Sequence, residues 1–232
     1  VRTPTGAPQD IDVAGIEDSL AEATRVWSDD LKTAFISKLG EARGLALHRK
    51  YETAFPAAYR DAYKPEVAVD DAERIEAIIA KQDGTGQKDG SGLGLNLHRR
   101  AGAPEDIINF KTYRAAEPLH LSAALPILES MGVFVLGESP FAVRPAGLTT
   151  PVFVQDFEIR AAATVLPSRE TLRERFETSF AKTWTGDIEI DGFNRLVLAA
   201  GLEWRDVVIL RAYGAYLRQV GIPFRQRTME DT

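Results

Sequence analysis

The apolar residues of this chain change their spacing partway along it, and no other feature constrains the fold as much. From Ile16 to about residue 82 they recur every three or four positions, the period of a helix face. Beyond residue 93 they alternate, the period of a strand. Leu20, Trp27, Leu31, Phe35 and Leu39 define a first helix, with Gly40 as its stop. "RGLALHRKYETAFPAAYRDAY" carries Leu45, Leu47, Tyr51, Phe55 and Tyr59 at helical spacing, and Pro56 should break it because proline removes a helix hydrogen bond. "VDDAERIEAIIAKQ" reads as a third helix, with Asp70 and Glu73 spaced as a capping box.

"DGTGQKDGSGLG" separates the two regimes and reads as a flexible connector. After it, "LGLNLHRR" and "IINFKTYRAA" read as strands. The helix "PLHLSAALPILESMG" follows, closed by Gly132. "VFVLGESPFAVR" and "PVFVQDFEIRAA" are two more strands, and "PSRETLRERFETSFAKTW" is a helix starting at Pro167 and Ser168. The order β-β-α-β-β-α predicts an α+β layer: an antiparallel sheet with helices on one face. "DGFNRLVLAAGLEWRDVVILRAYGAYLRQVGIPF" then supplies two helices, split at Gly201 and closed near Gly221 and Pro223.

Charge and composition exclude several partners. The formal net charge is −6, whereas nucleic-acid and anionic-membrane surfaces call for a clustered excess of Lys and Arg. No apolar run approaches the ~18 residues of a membrane span, and no signal-peptide pattern opens the chain. With no cysteine there is no disulfide framework, which fits a cytoplasmic location. The chain begins at Val1 and its methionines are Met131 and Met229, so it reads as a piece excised from something longer, or processed.

No short motif names a reaction. Gly90, Gly92 and Gly94 do not make a G-x-G-x-x-G fingerprint, and no G-K-[ST] follows to cradle phosphates. "DIEIDG" imitates the start of a calcium loop, but its twelfth position is Leu198 where a bidentate acid is needed. A solvated turn is expected there. His48, His98 and His120 lie far apart, so no metal site is expected. There is no nucleophile elbow, and cysteine chemistry is impossible.

Long collinear strings carry a family resemblance instead. "LSAALPILESMGVFVLGESPF", "VFVQDFEIR", "DGFNRLVLAAGLEWRDVVILRAYGAYLRQVGIPF", "TRVWSDDL", "GEARGLALHRKYETAFPAAYRDAY" and "INFKTYRA" resemble the large bacterial NAD-specific glutamate dehydrogenases. The likeness runs from about Trp27 to Phe224. It implies a layout of a tail at 1–15, a helical motif at 16–82, a glycine-rich linker at 83–92, an ACT-like (ferredoxin-like) α+β unit at 93–184, and at 187–224 the start of a helical segment leading to the catalytic domain. The resemblance places the substrate lysine motif and the NAD-binding fold further toward the C-terminus. It therefore implies a regulatory or structural fragment of a cytoplasmic, homo-oligomeric enzyme of amino-acid catabolism. NAD would belong to the parent, and no catalytic residue, bound cofactor or metal is expected in this stretch.

Two sets of residues follow as candidate sites. If the ACT-like unit senses an amino acid, its effector loop is Glu117, Pro118, Leu119, His120 and Ser122. This loop lacks the glycine-rich turn of amino-acid-binding ACT domains, Ala123 replaces an acid usual in the family, and a leading strand is added. The other set is a docking surface for the rest of the dehydrogenase or other subunits: Asn194, Arg195, Trp204, Arg205, Arg211 and Arg218. Guanidinium groups suit bidentate contacts across an interface, Trp204 supplies an anchor, and Arg211 and Arg218 lie seven apart on one helix face. Exposed apolar surface on the last helices is expected to make the excised chain associate.

Overall fold

The computed structural model describes residues 13–82, 92–100, 102–161 and 169–221. The connector before Gly92, the helix start at Pro167 and Ser168, Pro223 and most of the tail lie outside the described residues.

Helices α1 (Val13–Leu39) and α2 (Glu41–Tyr51) fold back on one another through Gly40, whose φ of 81° suits glycine alone. α1 is already helical at Val13, the first described residue, ahead of the expected Ile16. The two helices touch so closely at Gly44 that a Cβ there would lie 2.7 Å from the Ile36 Cα. The helical run breaks after Tyr51, a few residues before the expected Pro56, which forms the N-cap of α3 (Ala57–Ala62). α4 (Pro65–Gln82) begins at Pro65, where the missing N–H costs nothing because the first helical N–H groups have no partner within the helix. That early start corrects the capping-box expectation. Asp70 and Glu73 fall inside the helix, and both pair with Lys38 of α1, Glu73 at 2.7 Å.

The alternating half forms one antiparallel sheet of β1 (Gly94–His98), β2 (Ile107–Ala115), β3 (Val133–Val143) and β4 (Val152–Ala161), in the order β1-β2-β4-β3. β1, the extra leading strand, takes the edge beside β2. In a β-α-β-β-α-β unit a strand after the second helix would hold that place. α5 (Leu121–Ser130) and α6 (Arg169–Trp184) share one face, as the pattern predicts. There Ala124, Ile127, Leu128, Leu172, Phe176 and Phe180 pack on Ile108, Phe110, Phe157 and Ile159.

The second face, which the sequence pattern left unassigned, is covered by the helical motif. Phe35, Tyr51, Phe55, Tyr59, Tyr63 and Ile75 pack against Tyr113, Phe141, Val143, Val152 and Val154. Aromatic side chains spaced four apart, from Tyr51 through Phe55 and Tyr59 to Tyr63, make a ladder that ends edge-on against Phe141 of β3. Backbone bonds reinforce the union: the Arg144 N–H donates to Ala54 O at 2.9 Å, and the Ala146 N–H to Lys50 O at 2.8 Å. The sheet is thus the middle of three layers, and β2 is buried on both sides over seven consecutive residues.

The C-terminal part is a 3-10 turn (Gly192–Arg195), α7 (Leu196–Ala199) and α8 (Trp204–Gln219), with Gly201 at φ 63° at the split. Leu198 enters the core beside α5 and α6, while Phe193, Val197 and Val207 form a small core of their own. Glu203 and Asp206 make the capping box of α8.

Candidate functional site

Charges are buried where the helical motif meets the sheet. β strands alternate their side chains, so Asn109, Lys111 and Tyr113 of β2 point toward α4, while Ile108 and Phe110 point toward α6. Asp71 of α4 meets them. Its carboxylate accepts from Lys111 Nζ at 2.7 Å, from the Tyr113 hydroxyl at 2.7 Å and from the Tyr59 hydroxyl. Asp71, Lys111, Tyr59 and Tyr113 are all inaccessible to water. The Lys111 ammonium also sits over the Tyr63 ring, 3.9 Å from its centre. A cation over an aromatic face gains electrostatically, most of all where water is excluded.

A second cluster lies beside the first. Asp156 of β4 accepts from Arg100 Nη2 at 2.9 Å, Asn109 Nδ2 at 3.1 Å and the Tyr63 hydroxyl, which itself accepts from Arg100 at 2.8 Å. Arg100 is 43% exposed, so this pair opens to solvent at its rim while Asp71–Lys111 is sealed. Burial alone would raise the Asp156 carboxyl, but the donors from Tyr63, Arg100 and Asn109 and the His98 ring hold it below its ordinary value. Burial lifts the Tyr59 and Tyr113 hydroxyls well above the usual phenol range, with the Asp71 charge adding to it. These hydroxyls are therefore permanent donors at neutral pH. Each charge in the seam has its counter-charge, and each carboxylate is filled with hydrogen bonds. The arrangement joins two layers.

The candidate residues read from sequence lie elsewhere. In the 115–120 loop, the Gln155 side chain is bonded to both backbone groups of Leu119: Oε1 accepts its N–H at 2.6 Å, and Nε2 donates to its C=O at 3.1 Å. Glu117 pairs with Arg114 at 2.6 Å; His120 caps α5 and, like Ser122, is exposed. The loop turns at Ala116, whose φ of 71° is unusual for a residue with a side chain.

The six docking candidates divide. Asn194 is buried and donates to Ser130 Oγ and Glu189 O, while Arg211 clasps Asp191 with two bonds of 2.5 and 2.8 Å and reaches Asn194 Oδ1 at 3.0 Å. Asp191 also caps the 3-10 turn through the Phe193 N–H, so the "DIEIDG" turn is anchored at its end as well as solvated. Arg195 bonds Gly192 O at 2.9 Å and covers Gly132. Trp204 carries Arg205 over its ring at 4.6 Å, and Arg218 is exposed toward the far end of α8. Beside these, Ile209, Tyr213, Tyr216 and Val220 form an outward stripe at helical spacing, each more than half exposed. The three histidines are not brought together, and among the described residues no cluster of His, Asp or Glu suits a metal. No helix among the described residues is long and apolar enough to cross a membrane.

The seam residues Asp71, Lys111, Asp156 and Arg100 were missed in the sequence. Their signal was Lys111 inside "INFKTYRA" and Asp156 inside "VFVQDFEIR", charges in the middle of runs otherwise fit for burial on both faces.

Sheet, paired helices and flanking motifs together define an ACT-type α+β unit built into a longer helical arrangement. Three family models match in succession: "Glutamate dehydrogenase, helical motif 2" over residues 34–78, "Glutamate dehydrogenase, ACT3 domain" over 92–172, and "Glutamate dehydrogenase, helical motif 3" over 188–232. The chain is 35% identical over 215 residues to the NAD-specific glutamate dehydrogenase of Pseudomonas aeruginosa, an alignment that takes in 93% of this chain and 13% of that protein. Identity is 32% over 213 residues to that of Halomonas elongata (92% and 12%) and 35% over 221 residues to that of Mycobacterium tuberculosis (93% and 13%). The chain belongs to the NAD-specific glutamate dehydrogenase family and spans about one-eighth of the length of these relatives.

Proposed function

We propose that this chain is a non-catalytic, regulatory and structural stretch of an NAD-dependent glutamate dehydrogenase. The parent would convert L-glutamate, NAD and water to 2-oxoglutarate, ammonium and NADH in the cytoplasm as a homo-oligomer, with NAD bound by other parts of the polypeptide. The observation that carries this reading is the seam: Asp71, Lys111 and Asp156, its fully buried charges, are committed to holding the helical motif on the sheet. Charges committed to each other are a framework. The isolated chain, supplied with glutamate and NAD, is expected to give no NADH while the full-length enzyme does. NADH formed by the isolated chain would overturn the reading.

The partner we assign to the outward stripe of α8 is the remainder of the parent polypeptide or a neighbouring subunit. Its four apolar side chains are each more than half exposed in a chain that covers about one-eighth of its relatives, which supports that assignment. Within the ACT-type unit, a packing role is favoured over amino-acid sensing because the Gln155 side chain already occupies both backbone groups of Leu119 in the candidate loop. Isothermal titration with a panel of amino acids decides between them. Heat that vanishes on substituting His120 or Ser122 would restore the sensing role.

A further inference from the structure

The turn between β2 and α5 keeps its shape against its own backbone preference. The Glu117 N–H donates to Ala115 O at 2.9 Å across a single residue, Ala116, whose φ is 71°. That bond around a positive central φ makes a γ-turn of the rare, strained kind, which a residue with a Cβ disfavours. Pro118 puts the strain there: it disfavours a helical conformation at the preceding Glu117, so the change of direction falls to Ala116.

Strain of this kind persists only where the surroundings over-determine it. The Ala116 N–H donates to Pro151 O at 3.0 Å, and Glu117 pairs with Arg114 at 2.6 Å. Leu119 is buried, and the Gln155 carboxamide grips both of its backbone groups. Gln155 is buried too, and its Nε2 also donates to Glu138 Oε1 at 2.9 Å. A carboxylate accepts and does not donate, so Glu138 fixes which end of the amide meets the Leu119 N–H. Beyond the loop, α5 ends at Ser130, whose Oγ accepts from Asn194 Nδ2 at 3.1 Å, and Arg195 covers Gly132 just after it. α5 therefore runs from the strained turn to the motif that follows the ACT-type unit.

We propose that the 115–120 loop is a latched strap: Gln155, oriented by Glu138, holds Ala116 in its strained turn and thereby sets how α5 bears on the 3-10 turn at Gly192–Arg195. When the latch lets go, Ala116 relaxes to a negative φ, the bonds of the Ala116 and Glu117 N–H groups break together, and α5 loosens at both ends. Coupling between distant sites needs an element with two discrete arrangements, and a strained turn held by one side chain supplies it. The strap works whether or not the loop senses an amino acid.

Hydrogen–deuterium exchange read at single amides of the full-length protein tests this. Gln155→Leu keeps the bulk and removes the grip. It is expected to speed exchange at Ala116 and Glu117 about 10- to 100-fold, although neither amide is bonded to Gln155. Exchange across 192–195 should quicken in the same variant, while the β2 amides of 107–113 stay protected. Ala116→Gly is expected to act in the opposite direction. Glycine adopts a φ of 71° without steric cost, so both amides should exchange about 3- to 10-fold more slowly. In an unstrained loop, glycine's extra freedom would quicken exchange instead. If Gln155→Leu fails to fold, Glu138→Ala decides, since it should shift both amides in the same direction. Unchanged exchange at Ala116 and Glu117 on loss of the latch overturns the strap, as does faster exchange in Ala116→Gly. Faster exchange at the turn with 192–195 unaffected overturns the link through α5.

Discussion

The two faces of the central sheet are built from the same strands and held by different physics. Toward α5 and α6, β2 and β4 present Ile108, Phe110, Phe157 and Ile159 to an apolar core. Toward the helical motif, Asn109, Lys111, Tyr113 and Asp156 set a hydrogen-bonded, charge-paired layer beside an apolar cluster that includes Phe141, Val143, Val152 and Val154. Apolar packing tolerates many partners of the right size, whereas a buried carboxylate filled by one lysine and two phenols accepts one docking geometry. The first face holds the ACT-type unit together, and the second fixes how the helices sit on it.

The largest effects separate the faces. Lys111→Met leaves Asp71 buried without its counter-charge and is expected to cost about 3–5 kcal/mol in urea unfolding. Replacing both partners, Lys111→Met with Asp71→Leu, should recover most of that loss, since the desolvation cost disappears along with the attraction. Phe110→Ala on the opposite face should cost a similar ~3–5 kcal/mol through its cavity, and no charge change elsewhere should rescue it. If Lys111→Met cost less than about 1 kcal/mol, the seam would not be what holds the layers.

A smaller effect distinguishes the sealed cluster from the open one. Tyr113→Phe removes a donor to a fully buried carboxylate and should cost about 1.5–3 kcal/mol. Tyr63→Phe should cost less, because Asp156 keeps Arg100 and Asn109 and its cluster reaches solvent.

The open cluster also gives the seam a pH response. Burial holds His98 below its ordinary value near 6.5, with Lys111 adding to that and Asp156 and Asp71 acting against it. The unfolded chain then binds the proton more tightly than the folded one, so stability is full above pH ~6.5 and falls as the pH drops through the folded value. Asp156, also held low, adds a loss of the same sign in more acid solution, below its ordinary 3.8. Urea midpoints measured from pH 7.5 to 5 should decline in the parent chain and stay nearly flat in His98→Asn. An equal decline in both would exclude His98 as the cause.

The apolar face was legible in the sequence and the polar face was not, for a physical reason. Helix period, alternation, Pro56, Gly132 and Gly201 act locally, so they show in short windows. The pairing of Asp71 with Lys111 joins residues forty apart, and nothing in a single sequence says which of its many acids faces which base. The same limit explains Arg211. Seven-residue spacing put it on a face with Arg218, but Asp191, twenty residues back, drew it inward. The Asp70–Glu73 spacing misled because Pro65 had already started the helix and Lys38 offered both acids a partner.

The smallest expected effect on stability lies on α8, whose two sides repeat the contrast on a single helix. Val207, Arg211 and Gly214 face the body, while Ile209, Tyr213, Tyr216 and Val220 face outward. Tyr213→Ser and Ile209→Ser remove apolar groups that already meet water, so each should change unfolding of this chain by no more than about 0.5 kcal/mol. Arg211→Ala, on the inner side, strands Asp191 and should destabilise it measurably. In the full-length protein the order should reverse. If the stripe is buried against the rest of the polypeptide or a second subunit, Tyr213→Ser creates a cavity there and should raise the dissociation constant of the assembly, read by sedimentation at falling concentration. An unchanged assembly with both outward residues replaced would leave the stripe a solvent-facing surface, and the joint between this region and the remainder of the enzyme would have to be sought at Trp204 and Arg205.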